Sequence, residues 1–166
     1  VSGPMRLLLV RHAIAVPRGS PDVADDDRPL TDAGRRKFRR VARGIARLVR
    51  TPDALLTSPC LRARETADLL AARWSGVVPT VLPALASGAL ASLEHDLATY
   101  PQEGLVAAVG HEPWLSELLA FLVDARAPER FRFRKGGAAL LEVPGRLGEG
   151  GVLEWFARPR ILARVR

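Results

Sequence analysis

Residues 6–13 read Arg6-Leu7-Leu8-Leu9-Val10-Arg11-His12-Ala13. Four consecutive aliphatic side chains cannot alternate between core and water, so the run predicts a strand covered on both faces. The polar pair Arg11-His12 then stands at the carboxyl end of that strand. A second run of this kind, residues 105–109, predicts a central strand ending in Gly110-His111-Glu112-Pro113. Between the two, Thr31 precedes Phe38, Val41, Ala42, Ile45, Leu48 and Val49, spaced as one face of a helix that Thr31 caps. Strands are expected over 53–57 and 77–82, the latter confined to an edge by Pro79. Helices are expected over 61–74, around Leu90, Leu93, Leu97 and Tyr100, and from Pro113 through Leu122. Residues 17–29 read as a surface loop, and 138–143 with 152–156 as a hairpin.

Strands alternating with helices predict an α/β fold: a three-layer α/β/α sandwich with a mainly parallel central sheet. With 166 residues the chain has room for one domain, expected over residues 5–166, with the four residues ahead of Met5 left out. Apolar residues make up 48% and charged residues 26%, which excludes a globally disordered chain. The single cysteine, Cys60, cannot close an internal disulfide and points to a reducing compartment. No apolar run approaches the roughly 18–20 residues of a membrane helix, and residues 7–10 are too few for a signal-peptide core. A cytoplasmic protein without a membrane partner is expected.

Basic side chains outnumber acidic ones 25 to 18, and 23 of the 25 are arginines. Seven basic positions, 35, 36, 37, 39, 40, 43 and 47, crowd onto the first helix. They read as its solvated face, which also attracts anionic substrates. No nucleic-acid partner is expected, because aromatics are only 5% and none clusters among the arginines. Asp25, Asp26 and Asp27 read as a solvated run. No metal-ligand spacing occurs, so neither metal nor cofactor is expected. The sequence assigns no oligomeric state.

Ligands of open α/β sheets bind outside the carboxyl ends of the strands. Three segments fall there: Arg11-His12, Ser58-Pro59-Cys60-Leu61-Arg62, and Gly110-His111-Glu112. If the strands are neighbours, His12, His111, Arg11 and Arg62 share one crevice. Two guanidiniums offer forks of donors that match phosphoryl oxygens, and helix N-termini add further N–H groups. Neutral histidine is a competent nucleophile toward phosphorus, so His12 is the candidate to carry a phosphohistidine intermediate. The arginines and His111 then offset charge on the equatorial oxygens.

Residues 8–13 resemble the signature of the histidine phosphatase (phosphoglycerate mutase-like) superfamily, and most closely its short SixA-type phosphohistidine phosphatases. Further blocks follow in order: Arg28-Pro29-Leu30-Thr31 with Gly34, then Ser58 through Ala63 with Glu65-Thr66, then Val109 through Pro113. The resemblance spans residues 6 to about 143 and implies a phosphoglycerate mutase-like fold. It implies His12 as the phosphate-accepting nucleophile, Arg11 and Arg62 as phosphate ligands, and His111 as completing the pocket. Gly110 and Glu112 are further candidates for substrate contact.

Two departures bear on chemistry. Ala13 stands where many members carry glycine. The stretch 82–88 lacks the carboxylate that the larger branch uses as general acid. That absence favours a leaving group needing little protonation, and it counts against a mutase. The expected activity is therefore metal-independent phosphoryl hydrolysis, on phosphohistidine protein or another small phosphorylated compound. The rival reading is a phosphate- or phosphoprotein-binding module that has kept the pocket and lost turnover. Glu112 is open to three roles: an acid, an orienting partner of His111, or a carboxylate suited to a helix N-terminus. Arg18 reads first as an ordinary loop residue, the alternative being a reach to a second phosphate or an acidic peptide. His95 reads as solvated, and Trp74, Trp114 and Trp155 as packing residues. Cys60 would need exposure and a lowered pKa to serve as a second nucleophile.

Overall fold

The computed structural model describes residues 3–166. Six strands, β1 (Met5–Arg11), β2 (Ala54–Thr57), β3 (Pro79–Val81), β4 (Leu105–Gly110), β5 (Ala138–Val143) and β6 (Val152–Ala157), form one sheet in the order β3-β2-β4-β1-β5-β6. The first four run parallel, while β5 pairs antiparallel with β1 and β6 antiparallel with β5 at the far edge. This is a mixed, mainly parallel α/β sheet, as the alternation of strands and helices predicts. β3 with its Pro79 lies at an edge, as a strand lacking one N–H donor must.

Helices cover both faces because residues 7–10 of β1 and 105–109 of β4 are apolar throughout. Leu8 and Val10 of β1 join one core with α1 (Asp32–Leu48), α2 (Leu61–Ala71) and α6 (Pro159–Leu162). Leu7 and Leu9 join the other with α3 (Ala84–Ser87), α4 (Leu90–Leu97) and α5 (Trp114–Leu122). The Thr31 hydroxyl accepts the Gly34 N–H at 2.9 Å, capping α1 as its sequence predicts. Gly34 has a second duty: a Cβ there would collide with the Ile14 carbonyl, so only glycine lets α1 sit this close to the chain leaving β1.

Several expectations shift at element ends. Leu48 is 42% exposed, because α1 ends there and the extended backbone of Val49 turns that next residue into the core instead. The helix expected over 61–74 stops at Ala71, although Trp74 stays buried in the same cluster. Pro113 precedes α5 at its N-cap position, after a cis peptide bond, and is not inside the first turn. The four-residue helices α3 and α6 were too short to leave a periodic signal.

Candidate active site

Three strands end level with one another. Arg11 of β1 pairs in register with Gly110 of β4, and Thr57 of β2 with Val109. The His12 N–H donates to the Gly110 carbonyl and the Ser58 N–H to the Val109 carbonyl, each at 3.0 Å. The side chains that follow therefore leave the sheet at one edge. Arg11, His12, Arg62 and His111 all line a cavity of about 220 Å³, joined by Arg18, Arg28 and Lys135. The two imidazoles lie 5.1 Å apart between ring centroids, inclined by 52°.

His12 is 6% exposed. Its Nδ1 lies 2.7 Å from the Ala13 carbonyl oxygen, which can only accept, so Nδ1 carries the proton and Nε2 keeps its lone pair. Burial lowers the His12 pKa to about 3; the Ala13 bond opposes this, while His111, Arg62 and Arg11 reinforce it. The ring is thus neutral near pH 7, with an unprotonated nitrogen. Thr66 holds the adjoining backbone: its hydroxyl accepts the Ala13 N–H at 3.0 Å and donates to the Arg62 carbonyl at 2.7 Å.

His111 is also held neutral, its pKa lowered to about 4 by burial and then by Arg62 and Arg11, against the pull of Asp25 and Asp26. The Cys60 N–H donates to the Ser58 hydroxyl at 3.3 Å, and that hydroxyl lies 2.7 Å from His111 Nε2. The tautomer that completes this relay has Ser58 donating to Nε2 and leaves His111 Nδ1 with a proton. Among the described residues, only four buried side-chain nitrogens lack a hydrogen-bond partner. Three of them, Arg11 Nε, Arg62 Nε and His111 Nδ1, belong to this pocket. Buried donors are rarely left unpaired, so their concentration here fits a site built around an acceptor-rich anion.

Both arginines are aimed by backbone carbonyls. Arg62 Nη1 donates to the Asp25 carbonyl at 2.7 Å, and Arg11 Nη1 to the Phe133 carbonyl at 2.6 Å. Asp25 also accepts through its carboxylate from Arg28 Nε (2.9 Å) and Arg18 Nε (3.0 Å). Asp25–Asp27 forms a short 3-10 turn, and Arg28 is buried within the loop expected at the surface. Such a brace is invisible in a run of acids, whose spacing says nothing of the arginine 37 positions away that it holds.

The remaining candidates fall into distinct places. Glu112 borders the cavity, but its carboxylate accepts from the Ser116 N–H and hydroxyl and from the Phe133 N–H at 2.6 Å. It thereby fixes the segment whose carbonyl orients Arg11. Gly110 contributes its carbonyl to the His12 N–H and does not line the cavity. Cys60 is buried, and burial raises its thiol pKa, opposite to what a nucleophile requires. His95 lies away from this pocket. Sequence reasoning missed Lys135 and Arg28 as pocket residues. Arg28 opens the block Arg28-Pro29-Leu30-Thr31, and Lys135 is one of only two lysines. Lys135 enters the site because the Gly136 N–H donates to the Arg11 and His12 carbonyls, tying the start of β5 to the end of β1.

Residues 7–96 match the pattern of the histidine phosphatase superfamily (branch 1). A protein of Picosynechococcus sp. of no described activity is 36% identical over 138 residues, covering 80% of this chain and 82% of that one. Among solved structures, the protein histidine phosphatase SixA complexed with tungstate superposes with a TM-score of 0.81 at 23% identity, covering 95% of this chain and 99% of that one. A protein from Agrobacterium tumefaciens assigned as a SixA phosphohistidine phosphatase gives 0.77 at 25% identity, over 95% of this chain and all of that one. A mutant phosphoserine phosphatase from Entamoeba histolytica in complex with phosphoserine gives 0.72 at 17% identity, over 94% and 98% of the two chains.

Proposed function

The chain belongs to the histidine phosphatase superfamily, branch 1, and from that membership and the pocket geometry we propose a phosphatase acting through a phosphohistidine on His12. One observation carries the reading: a buried, neutral His12 whose Nδ1 proton is committed to the Ala13 carbonyl, leaving Nε2 free among guanidiniums. In the first step the Nε2 lone pair forms a bond to phosphorus as the bond to the leaving group breaks. In the second, water attacks the phosphohistidine, inorganic phosphate departs, and His12 is regenerated. Arg11, Arg62 and the Nδ1 proton of His111 stabilise charge on the equatorial oxygens, the role that a metal takes in other phosphoryl-transfer sites. The tungstate held by the similar SixA protein is a tetrahedral oxyanion of phosphate's shape, consistent with this use of the pocket.

Leaving-group chemistry narrows the substrate. Glu112 is the one carboxylate among the described lining residues, and its oxygens are engaged by Ser116 and Phe133. Both imidazoles are neutral in the free protein. Among the described lining residues, neither a free carboxylate nor a charged imidazole is poised to protonate a poor leaving group such as a sugar alkoxide, which leaves Lys135 as the one ammonium there. A phosphorylated imidazole brings a proton on its far nitrogen and departs as neutral imidazole. Phosphohistidine in a protein is therefore the preferred substrate, ahead of other small phosphorylated compounds.

Rapid quenching of turnover with labelled substrate should yield acid-labile, base-stable phosphate on the protein. His12→Ala should abolish both label and hydrolysis, and retained turnover would refute the nucleophile assignment. Hydrolysis of a small aryl phosphate, which needs no general acid, excludes a pocket that only binds.

A further inference from the structure

The proposed chemistry leaves unused the basic face of α1 and the cation at Lys135. Beside the phosphoryl pocket, between α1, α6 and the turn before β5, lies a second cavity of about 440 Å³. Its floor is apolar, with Ile14, Phe38, Val41 and Pro159. Its rim is cationic, with Lys37, Arg40, Arg160 and Arg164, and no carboxylate is among its described lining residues. All four rim residues are exposed, and among the described residues none enters an ion pair or a side-chain hydrogen bond. The two cavities share Lys135 as a wall, and Ala13 and Ile14 continue the chain directly from His12. Partial burial lowers the Lys135 pKa, and Arg11, Arg28 and Arg62 lower it further, so this ammonium belongs to the pocket's positive field.

Resting on the phosphatase reading and extending it to the substrate's class, we propose that this groove docks an acidic segment of a phosphoprotein. One large apolar side chain of the segment packs over the half-buried Ile14 and Pro159, and flanking carboxylates reach Lys37, Arg40, Arg160 and Arg164. Lys135 stands where the docked segment meets the phosphoryl group. The cavity is of a size that takes a bulky side chain. The apolar floor supplies affinity, while the exposed charges, each weak and screened by salt, supply selectivity. A small inorganic anion has no use for the floor. A nucleic acid would need stacking surfaces, and Phe38, the one aromatic in the described lining, is 1% exposed.

The test pairs two phosphohistidine peptides of equal length that share one leucine. One carries acidic neighbours and the other their amides. At low salt kcat/KM should favour the acidic peptide by about tenfold, several weak charge contacts together. The preference should vanish in Arg40→Glu/Arg160→Glu and near 0.5 M salt, where screening is strong. Turnover of a small aryl phosphate should stay within about twofold in that variant, because neither residue lines the phosphoryl pocket. Equal rates on the two peptides, failure to hydrolyse either, or a preference that survives charge reversal overturns the docking proposal while leaving the phosphatase reading intact. Competition by a short single-stranded oligonucleotide as strong as that of the acidic peptide also overturns it, in favour of nucleic acid. If the unaltered protein fails on the aryl phosphate itself, the phosphatase reading falls first and takes the docking proposal with it.

Discussion

The phosphoryl pocket has two unlike walls. One is the row of strand ends, where Arg11-His12, Ser58 and Gly110-His111 leave β1, β2 and β4 in register, together with Arg62 on the first turn of α2 just after Ser58. The other consists of residues 17–29 and 131–136, irregular segments that supply Arg28 and Lys135 and the carbonyls that aim Arg62 and Arg11. The first wall is fixed by the sheet's hydrogen bonds. The second has fewer backbone ties, such as the Val16 N–H to the Pro29 carbonyl and the Gly136 N–H to the end of β1, and depends also on side-chain contacts such as Asp25 with its three arginines and Glu112 with Ser116 and Phe133. The difference teaches a division of labour: the rigid wall carries the proposed reacting groups, and the irregular wall sets their orientation and field.

Breaking the charge on the rigid wall should cost most. Arg62→Ala and Arg11→Ala should each lower kcat/KM toward a good aryl phosphate by about 10²–10³ fold, the usual loss of a transition-state donor. Removing a brace from the irregular wall should cost less, because the guanidinium remains. Asp25→Ala is expected to lower kcat by about tenfold, with Asp25→Asn milder, since the 2.7 Å bond to Arg62 comes from the backbone carbonyl. Equal losses for Asp25→Ala and Arg62→Ala would erase the contrast between the walls.

Glu112→Ala leaves the Ser116 and Phe133 groups without their acceptor and should destabilise the protein by about 1–3 kcal/mol in chemical denaturation. Glu112→Gln retains an acceptor oxygen and should recover part of that loss. If Glu112 instead acts as a general acid, Glu112→Gln should be as inactive as Glu112→Ala, and the bell of the pH profile should lose its basic limb.

Acidity provides a subtler probe. Both histidine pKa values are lowered by folding, so the folded state prefers the neutral rings. As pH falls below about 6.5 the unfolded chain takes up these protons while the folded chain does not, until about pH 4 for His111 and 3 for His12. Stability contributed above pH 6.5 should thus be lost through that window, and His111→Gln should flatten the slope of the denaturation midpoint against pH. The acidic limb of kcat/KM assigned to the free protein should likewise lie below about pH 5 instead of near 6.5. The smallest effect is expected at Cys60: Cys60→Ala should retain activity within about twofold, as its thiol is buried and its pKa raised.

Legibility in the sequence tracks the same division. The continuous apolar runs at 7–10 and 105–109 suit central strands, and the 3.6-residue spacing from Phe38 to Ile45 marks the buried side of α1. Strand identity then placed three motifs at one sheet edge, and the structure has their side chains lining a single cavity. Arg28 and Lys135 escaped because nothing local separates an arginine in an acidic loop, or a lysine in a glycine turn, from ordinary surface charge. Their place depends on contacts such as Arg28 with the Val16 carbonyl and Gly136 with the end of β1.

The amino-acid order by itself determined the alternation of strand and helix, the α/β class and which histidines and arginines stand at strand ends. Hydrophobic periodicity is a local property, and a strand's direction follows from the connections on either side. Tertiary structure alone decided the protonation of His12 and His111, the engagement of the Glu112 carboxylate and the sharing of Lys135 between two cavities. Those depend on desolvation and on partners far along the chain, which exist only once the sheet has closed around them.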